Sequence, residues 1–305
     1  MTVTTNVAVD ARGALSSPSA ASTSEPESFI DTETFAPPAA PRLPLALRRL
    51  RSPLGIYTTP LVLLAAWQVA SSLGALSETL AASPVEVTKA AVHLWQVGAP
   101  STLGEDLRVS LTRALVGLVI GASIGGVAAT FAGLSRFGEQ LFNGPVQILN
   151  TVPFLALLPL MIIWFGIGEM SKVLLIAIGA GVPVYINLFA GIRSVDQRLV
   201  EMAAAAGAGR WRLIRRVLLP GALPGALVGL RFALAYSVLG LVVAEQINAS
   251  SGLGFMVTQA QTYQRIDEMF LGLAIYAILG LSADQVVRLL ERVLLTWRPA
   301  FGGAR

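Results

Sequence analysis

Four stretches of this chain run for 20 residues or more without a charged side chain: Ser52–Ser77, Ala114–Ser135, Gln140–Gly168 and Val173–Ile192. About 20 apolar residues cross roughly 30 Å of hydrocarbon as a helix. Lipid offers no water to an exposed amide, so each stretch must satisfy its own backbone bonds, and the helix does this within one segment. Two more spans follow by the same reasoning. One covers about Gly221–Glu245 and is interrupted by Arg231; the other begins near Met269 and ends between Asp284 and Leu290. The expected fold is an all-α membrane protein of six transmembrane helices. Only 13% of the 305 residues are charged, against about 25% in soluble domains. A soluble globule of this composition could not cover its surface.

The charges that remain set an orientation. With the N-terminus inside, the inner segments hold 16 basic residues: five up to Arg51, Arg136, six from Arg193 to Arg216, and four from Arg288 onward. The outer segments hold four, namely Lys89, Arg108, Lys172 and Arg265. Arg113 and Arg231 lie at span edges and are left out of the count. This bias places both termini in the cytoplasm. Residues 1–41 are rich in Ser, Thr, Ala and Pro and have no sustained periodicity, which reads as a disordered cytoplasmic tail. Ser83-Pro84-Val85-Glu86 has the form of a capping box with proline in the first helical turn. It starts a short helix running to about Val97 on the external face. The chain has no cysteine and one histidine, His93, so disulfides, thiolate metal sites and histidine clusters are excluded.

Within the spans, Gly117, Gly121 and Gly125 share one helix face, as do Gly221, Gly225 and Gly229. Such stripes let helix backbones approach closely in lipid; packing within the chain is the expected use, with a subunit interface as the alternative. Pro153, Pro159 and Pro183 each remove a backbone donor and are expected to kink the third and fourth spans. Arg231 and Glu245 are 14 residues apart in the sequence, about 21 Å along a helix, so they can snorkel to opposite interfaces as anchors. Asp284 falls at the inner end of the last span. No chain of acids crosses the membrane, which argues against a proton-coupled pump. No Gly-Lys-Ser/Thr phosphate loop is present. Ser250-Ser251 is read as an external turn rather than a nucleophile.

The segment between the fourth and fifth spans is the most distinctive. Asp196 is placed to cap a helix that runs through Ala206. Gly207 and Gly209 end it. Trp211, Ile214 and Leu218 then follow at helical spacing, with Arg212, Arg215 and Arg216 on another face. Such a basic amphipathic piece can lie on anionic lipid or dock in a groove of a cytosolic protein.

At this segment the sequence resembles the permease subunits of bacterial ABC importers. Their signature reads Glu-Ala-Ala, three residues, Gly, nine residues, Ile, one residue, Leu-Pro. Here it is Glu201, Met202 in place of Ala, Ala203, then Gly207, Val217 in place of Ile, and Leu219-Pro220. The resemblance covers about residues 55–300. Asn150 to Lys172, Pro183 to Asn187 and Leu219 to Leu223-Pro224 look like the subgroup importing aliphatic sulfonates, taurine or nitrate. Leu290-Glu291-Arg292 and Trp297-Arg298-Pro299 look closest to the aliphatic sulfonate permeases. The resemblance implies a type I importer permease domain over 52–295 in the plasma membrane, with a cytoplasmic coupling loop at 193–220. Its coupling residues would be Glu201, Ala203, Ala204, Gly207, Val217, Leu219 and Pro220. It further implies a homodimer, two cytosolic ATPase subunits that bind ATP and magnesium, an external substrate-binding protein, and no enzymatic activity, cofactor, metal or nucleic acid in this chain. An ion-driven secondary carrier is the rival class and predicts repeated halves; no convincing repeat is visible. A signalling or scaffold protein would carry no solute.

Overall fold

In a computed structural model of the chain, residues 55–74, 81–96 and 103–296 are described. Residues 1–41, read above as a tail, lie outside them. The described helices are α1 (Gly55–Ser72), α2 (Pro84–Gln96), α3 (Leu103–Leu134), α4 (Arg136–Thr151), α5 (Leu158–Phe165) and α6 (Glu169–Arg193). They continue as α7 (Gln197–Ala205), α8 (Arg210–Leu213), α9 (Leu219–Asn248), α10 (Leu253–Thr262) and α11 (Ile266–Leu294). Among the described residues there is no strand.

Helix α6 is the axis, with α3 on one flank and α9 on the other. The two glycine stripes make this possible. A Cβ added at Gly121 or Gly125 would run into the carbonyl oxygens of Ala177 and Gly181 on α6. A Cβ at Gly225 would sit 2.7 Å from the Asn187 carbonyl oxygen and 3.0 Å from the Gly191 Cα. A Cβ at Gly229 would meet the Pro183 carbonyl oxygen at 3.1 Å. Gly121, Gly125, Gly225 and Gly229 therefore bring backbone against backbone within one chain, while Gly117 and Gly221 receive the side chains of Ile176 and Val195. Around this core, Ala129 and Ala132 of α3 pack with Tyr185 of α6, whose hydroxyl donates to Asn143 Oδ1 of α4 at 2.6 Å. Trp67 of α1 lies 5.5 Å from the Phe270 ring of α11. Ile124, Val127, Ile163 and Leu281 point outward and are exposed, as lipid-facing side chains are.

Four helical stretches are long and apolar enough to cross a membrane: α3, α6, the run Arg210–Ile247 and α11. The third expected span, Gln140–Gly168, is not one straight helix. The chain turns by 96° between α4 and the Phe154–Phe165 segment, and this bent pair counts as a fifth span at most. Its cause is local. Val152 precedes Pro153 and is extended, with φ −77° and ψ 128°, because a proline ring pushes the residue before it out of the helical region. A single 3-10 turn, Phe154–Leu157, links to α5. Pro159 does not kink a helix. It occupies the first turn of α5, where its missing N–H costs nothing. Pro183 stays inside an unbroken α6. The capping box forms as expected: the Ser83 N–H donates to Glu86 Oε2 at 2.7 Å and the Glu86 N–H to Ser83 Oγ at 3.2 Å.

Candidate functional site

The segment between α6 and α9 forms an elbow of two arms. Asp196 Oδ1 accepts the Arg198 N–H at 2.9 Å and caps α7. At the other end Gly207 takes φ +76°. The Ala208 N–H reaches back to the Ala203 carbonyl at 3.0 Å and the Gly207 N–H to the Ala204 carbonyl at 2.9 Å. This pair of bonds is a Schellman cap, and its left-handed residue strongly favours glycine. Gly209 is extended and opens the second arm. That arm runs through α8 into a π-helical stretch, Ile214–Leu218, in which the Leu219 N–H donates to the Ile214 carbonyl. Pro220 follows at once and offers no N–H to the preceding turn. The wider π turn lets the chain carry the proline into α9 without a break.

The structure thus places Glu201, Ala203, Ala204 and Gly207 on the first arm, and Val217, Leu219 and Pro220 on the second. The arms touch only lightly. None of the residues from Gln197 to Leu218 is buried. Leu199 and Met202 are exposed beside the arms' arginines, and Trp211 is 72% exposed. Apolar side chains flanked by Arg210, Arg212, Arg215 and Arg216 give a basic surface with apolar knobs.

At the opposite end of α6 and α9 lies a cluster that sequence reasoning missed. Glu245, expected as an interfacial anchor, is only 1% exposed. The reason is its partners. Arg113 Nη1 donates to Glu245 Oε1 and to the Ser251 carbonyl, both at 2.7 Å. Ser110 Oγ donates to the same carboxylate at 2.8 Å, and the Gly254 N–H does so at 2.9 Å. Arg113 also grips Glu169, the first residue of α6, through Nε at 2.5 Å and Nη2 at 2.7 Å. Buried Asp106 accepts the Gly252 N–H at 2.7 Å. One guanidinium therefore ties α3, α6 and α9 to the turn before α10. A signal was present: Asp106, Ser110 and Arg113 continue the face of Gly117, Gly121 and Gly125. Arg231 is likewise paired rather than an anchor. Its Nη2 donates to Glu291 at 3.0–3.1 Å and its Nε lies 3.3 Å from Asp284 Oδ1, both on α11.

The 96° break opens a third feature, a cavity of about 400 Å³ between the break, α6 and α9. Asn150, Thr151, Phe154, Asn187 and Tyr236 are among its walls, and none of its lining residues is charged.

Residues 117–295 match the model of a protein family described as "Binding-protein-dependent transport system inner membrane component". The chain belongs to this family. It is an ABC transporter permease, a multi-pass protein of the inner membrane. The permease is 44% identical over 242 residues to the aliphatic sulfonates transport permease protein SsuC of Escherichia coli K12, covering 79% of this chain and 91% of that one. It is 43% identical to the protein so described in Bacillus subtilis 168, over 80% and 87% of the two chains. The taurine transport system permease protein TauC of Escherichia coli K12 is 36% identical over 77% of the permease and 86% of its own length. A crystal structure of an amino acid ABC transporter has the same fold, with a TM-score of 0.52 at 22% identity over 61% of the permease and 91% of the matched chain.

Proposed function

We propose that this chain is the permease subunit of an ATP-driven importer of aliphatic sulfonates. The observation that carries the proposal is 44% identity maintained over 91% of a relative described as a sulfonate permease. The elbow supports the mechanism. Two copies of the chain enclose the path; each crosses the membrane six times, and the bias of the arginines supports an orientation with both termini in the cytoplasm. Each elbow docks into a cytosolic ATPase subunit, with Leu199, Met202 and Trp211 entering its groove and the arginines meeting its rim. The Schellman cap at Gly207 fixes the angle between the arms. Glu201, Ala203 and Ala204 form the docking face, and Val217, Leu219 and Pro220 pass displacement into α9. ATP and magnesium bind the ATPase subunits. An external binding protein delivers the substrate. The permease shifts conformational populations and makes or breaks no covalent bond.

Growth on an alkanesulfonate as sole sulfur source, with and without the gene, tests the substrate. Loss of growth on the alkanesulfonate alone is the expected result. Selective loss on taurine or nitrate would move the assignment to that anion; the 36% identity to a taurine permease makes taurine the second reading. Co-purification with an ATPase subunit tests the coupling class. Uphill uptake by vesicles holding this chain alone would instead indicate an ion-driven carrier.

A further inference from the structure

We propose that the cavity at the broken span is where the substrate pauses in transit, and that it favours alkanesulfonates with an uncharged tail over amino-substituted ones such as taurine. This rests on the sulfonate reading above.

The walls present two chemistries. Asn150 and Tyr236 are exposed to the space, and among the described residues neither the Asn150 amide nor the Tyr236 hydroxyl has a hydrogen-bond partner within the chain. Asn187 is committed, donating to the Pro183 carbonyl at 2.9 Å, and Thr151 donates to the Ile148 carbonyl at 2.8 Å. Two free neutral donors are thus left for a sulfonate oxygen. The remaining walls include Phe154, Phe232 and Ile178, apolar surface suited to a short alkyl tail.

The absence of charge among the lining residues decides the selectivity. A site on a transport path must bind well enough to admit the solute and weakly enough to release it. Neutral dipoles meet that requirement for an anion, where a buried arginine would hold it. Taurine carries an ammonium as well as the sulfonate. No lining carboxylate is placed to pair with that ammonium, whereas an alkyl tail meets the apolar walls. Pro153 builds the space: the turn it forces swings Phe154 away from the path of α4 and against Tyr236, with ring centroids 5.2 Å apart.

The chain's lack of cysteine allows a direct test. Asn150→Cys and Tyr236→Cys are made singly in the complete transporter, with Gly280→Cys on α11 as a reference. The complex is labelled with an anionic methanethiosulfonate reagent during turnover. A linear alkanesulfonate in excess is expected to slow labelling at Asn150→Cys and Tyr236→Cys at least about fivefold and to leave Gly280→Cys unchanged. Equal labelling with and without alkanesulfonate at both cavity positions would overturn the proposal. In a second arm, Asn150→Asp supplies the missing negative charge. The added carboxylate repels the sulfonate, so alkanesulfonate uptake should fall at least about tenfold. The uptake ratio of taurine to alkanesulfonate should rise relative to wild type with the same binding protein. An unchanged ratio would overturn the selectivity. Failure of wild-type complex to import alkanesulfonate at all would refute the substrate reading instead, which separates the two.

Discussion

Replacing Gly225 by alanine isolates the cost of separating two helix backbones. The new Cβ would lie 2.7 Å from the Asn187 carbonyl oxygen, 3.0 Å from the Gly191 Cα and 3.4 Å from the Gly191 nitrogen. Non-bonded carbons prefer about 3.5–4.0 Å, so α9 must withdraw from α6 by roughly 0.5–1 Å. All three atoms are backbone, and no side chain can rotate away. Overpacking of this kind costs about 1–3 kcal/mol. Alanine also favours a helix over glycine by about 1 kcal/mol, which opposes the clash. Gly280→Ala on α11 supplies the reference, because a Cβ there meets nothing within 4 Å. The propensity gain cancels between the two variants and leaves the clash. Purified protein is heated in detergent and its melting followed by fluorescence-detected size exclusion. At about 2–4 °C per kcal/mol, the figure for chains of about 150–250 residues, Gly225→Ala should melt about 2–12 °C below Gly280→Ala. Equal melting of the two would refute close backbone packing as the basis of the α6–α9 contact.

Four further outcomes follow from other parts of the structure. Glu245→Leu leaves the Arg113 guanidinium short of a buried partner and should cost about 3–5 kcal/mol; Glu245→Gln keeps the Gly254 hydrogen bond and should cost less in the same melting assay. Gly207→Ala places a Cβ in the left-handed region at about 1–2 kcal/mol, confined to the elbow, and Gly207→Asn should be milder. Gly207→Asp should insert normally on blue-native gels yet lose both uptake and coupled ATP hydrolysis, and wild-type uptake by that variant would refute the elbow's role. Hydrogen bonds from the Ser83 backbone and side chain hold the Glu86 carboxyl below its ordinary value of 4.5. A depressed carboxyl stabilises the fold above its ordinary value and loses that contribution as pH falls through the lowered one. Protection factors of the first-turn amides of α2 should therefore drop below about pH 4.5 in the wild type, and Ser83→Ala should show the low protection already at neutral pH.

Local signals were legible in the sequence and distant ones were not. The Asp196 cap, the end of α7 before Gly207 and the Ser83–Glu86 box depend on residues within a few positions of one another, and each formed. The glycine stripes could be seen on single helices, although which neighbour they meet could not. Pro153 announced a break, yet its 96° size depends on how Phe142 and Val146 of α4 pack against Tyr185 of α6. Glu245 was misread because its partner is 132 positions away in the sequence. The face that Asp106, Ser110 and Arg113 share with the glycines of α3 marked one side of that pairing, and nothing near Glu245 in the sequence marked the other. The cavity was equally hidden, since it exists only where the break, α6 and α9 converge.

The clamping of α6 between two stripes that lack side chains has a mechanical consequence. Interfaces made of interlocking side chains can slip by rotamer changes, whereas backbone pressed on backbone has no such slack. Helix α6 has 25 residues, about 37 Å of length, and the guanidinium of Arg113 pins its far end. Under the proposed coupling, a thrust delivered at the elbow would travel the full thickness of the bilayer like load along a braced strut.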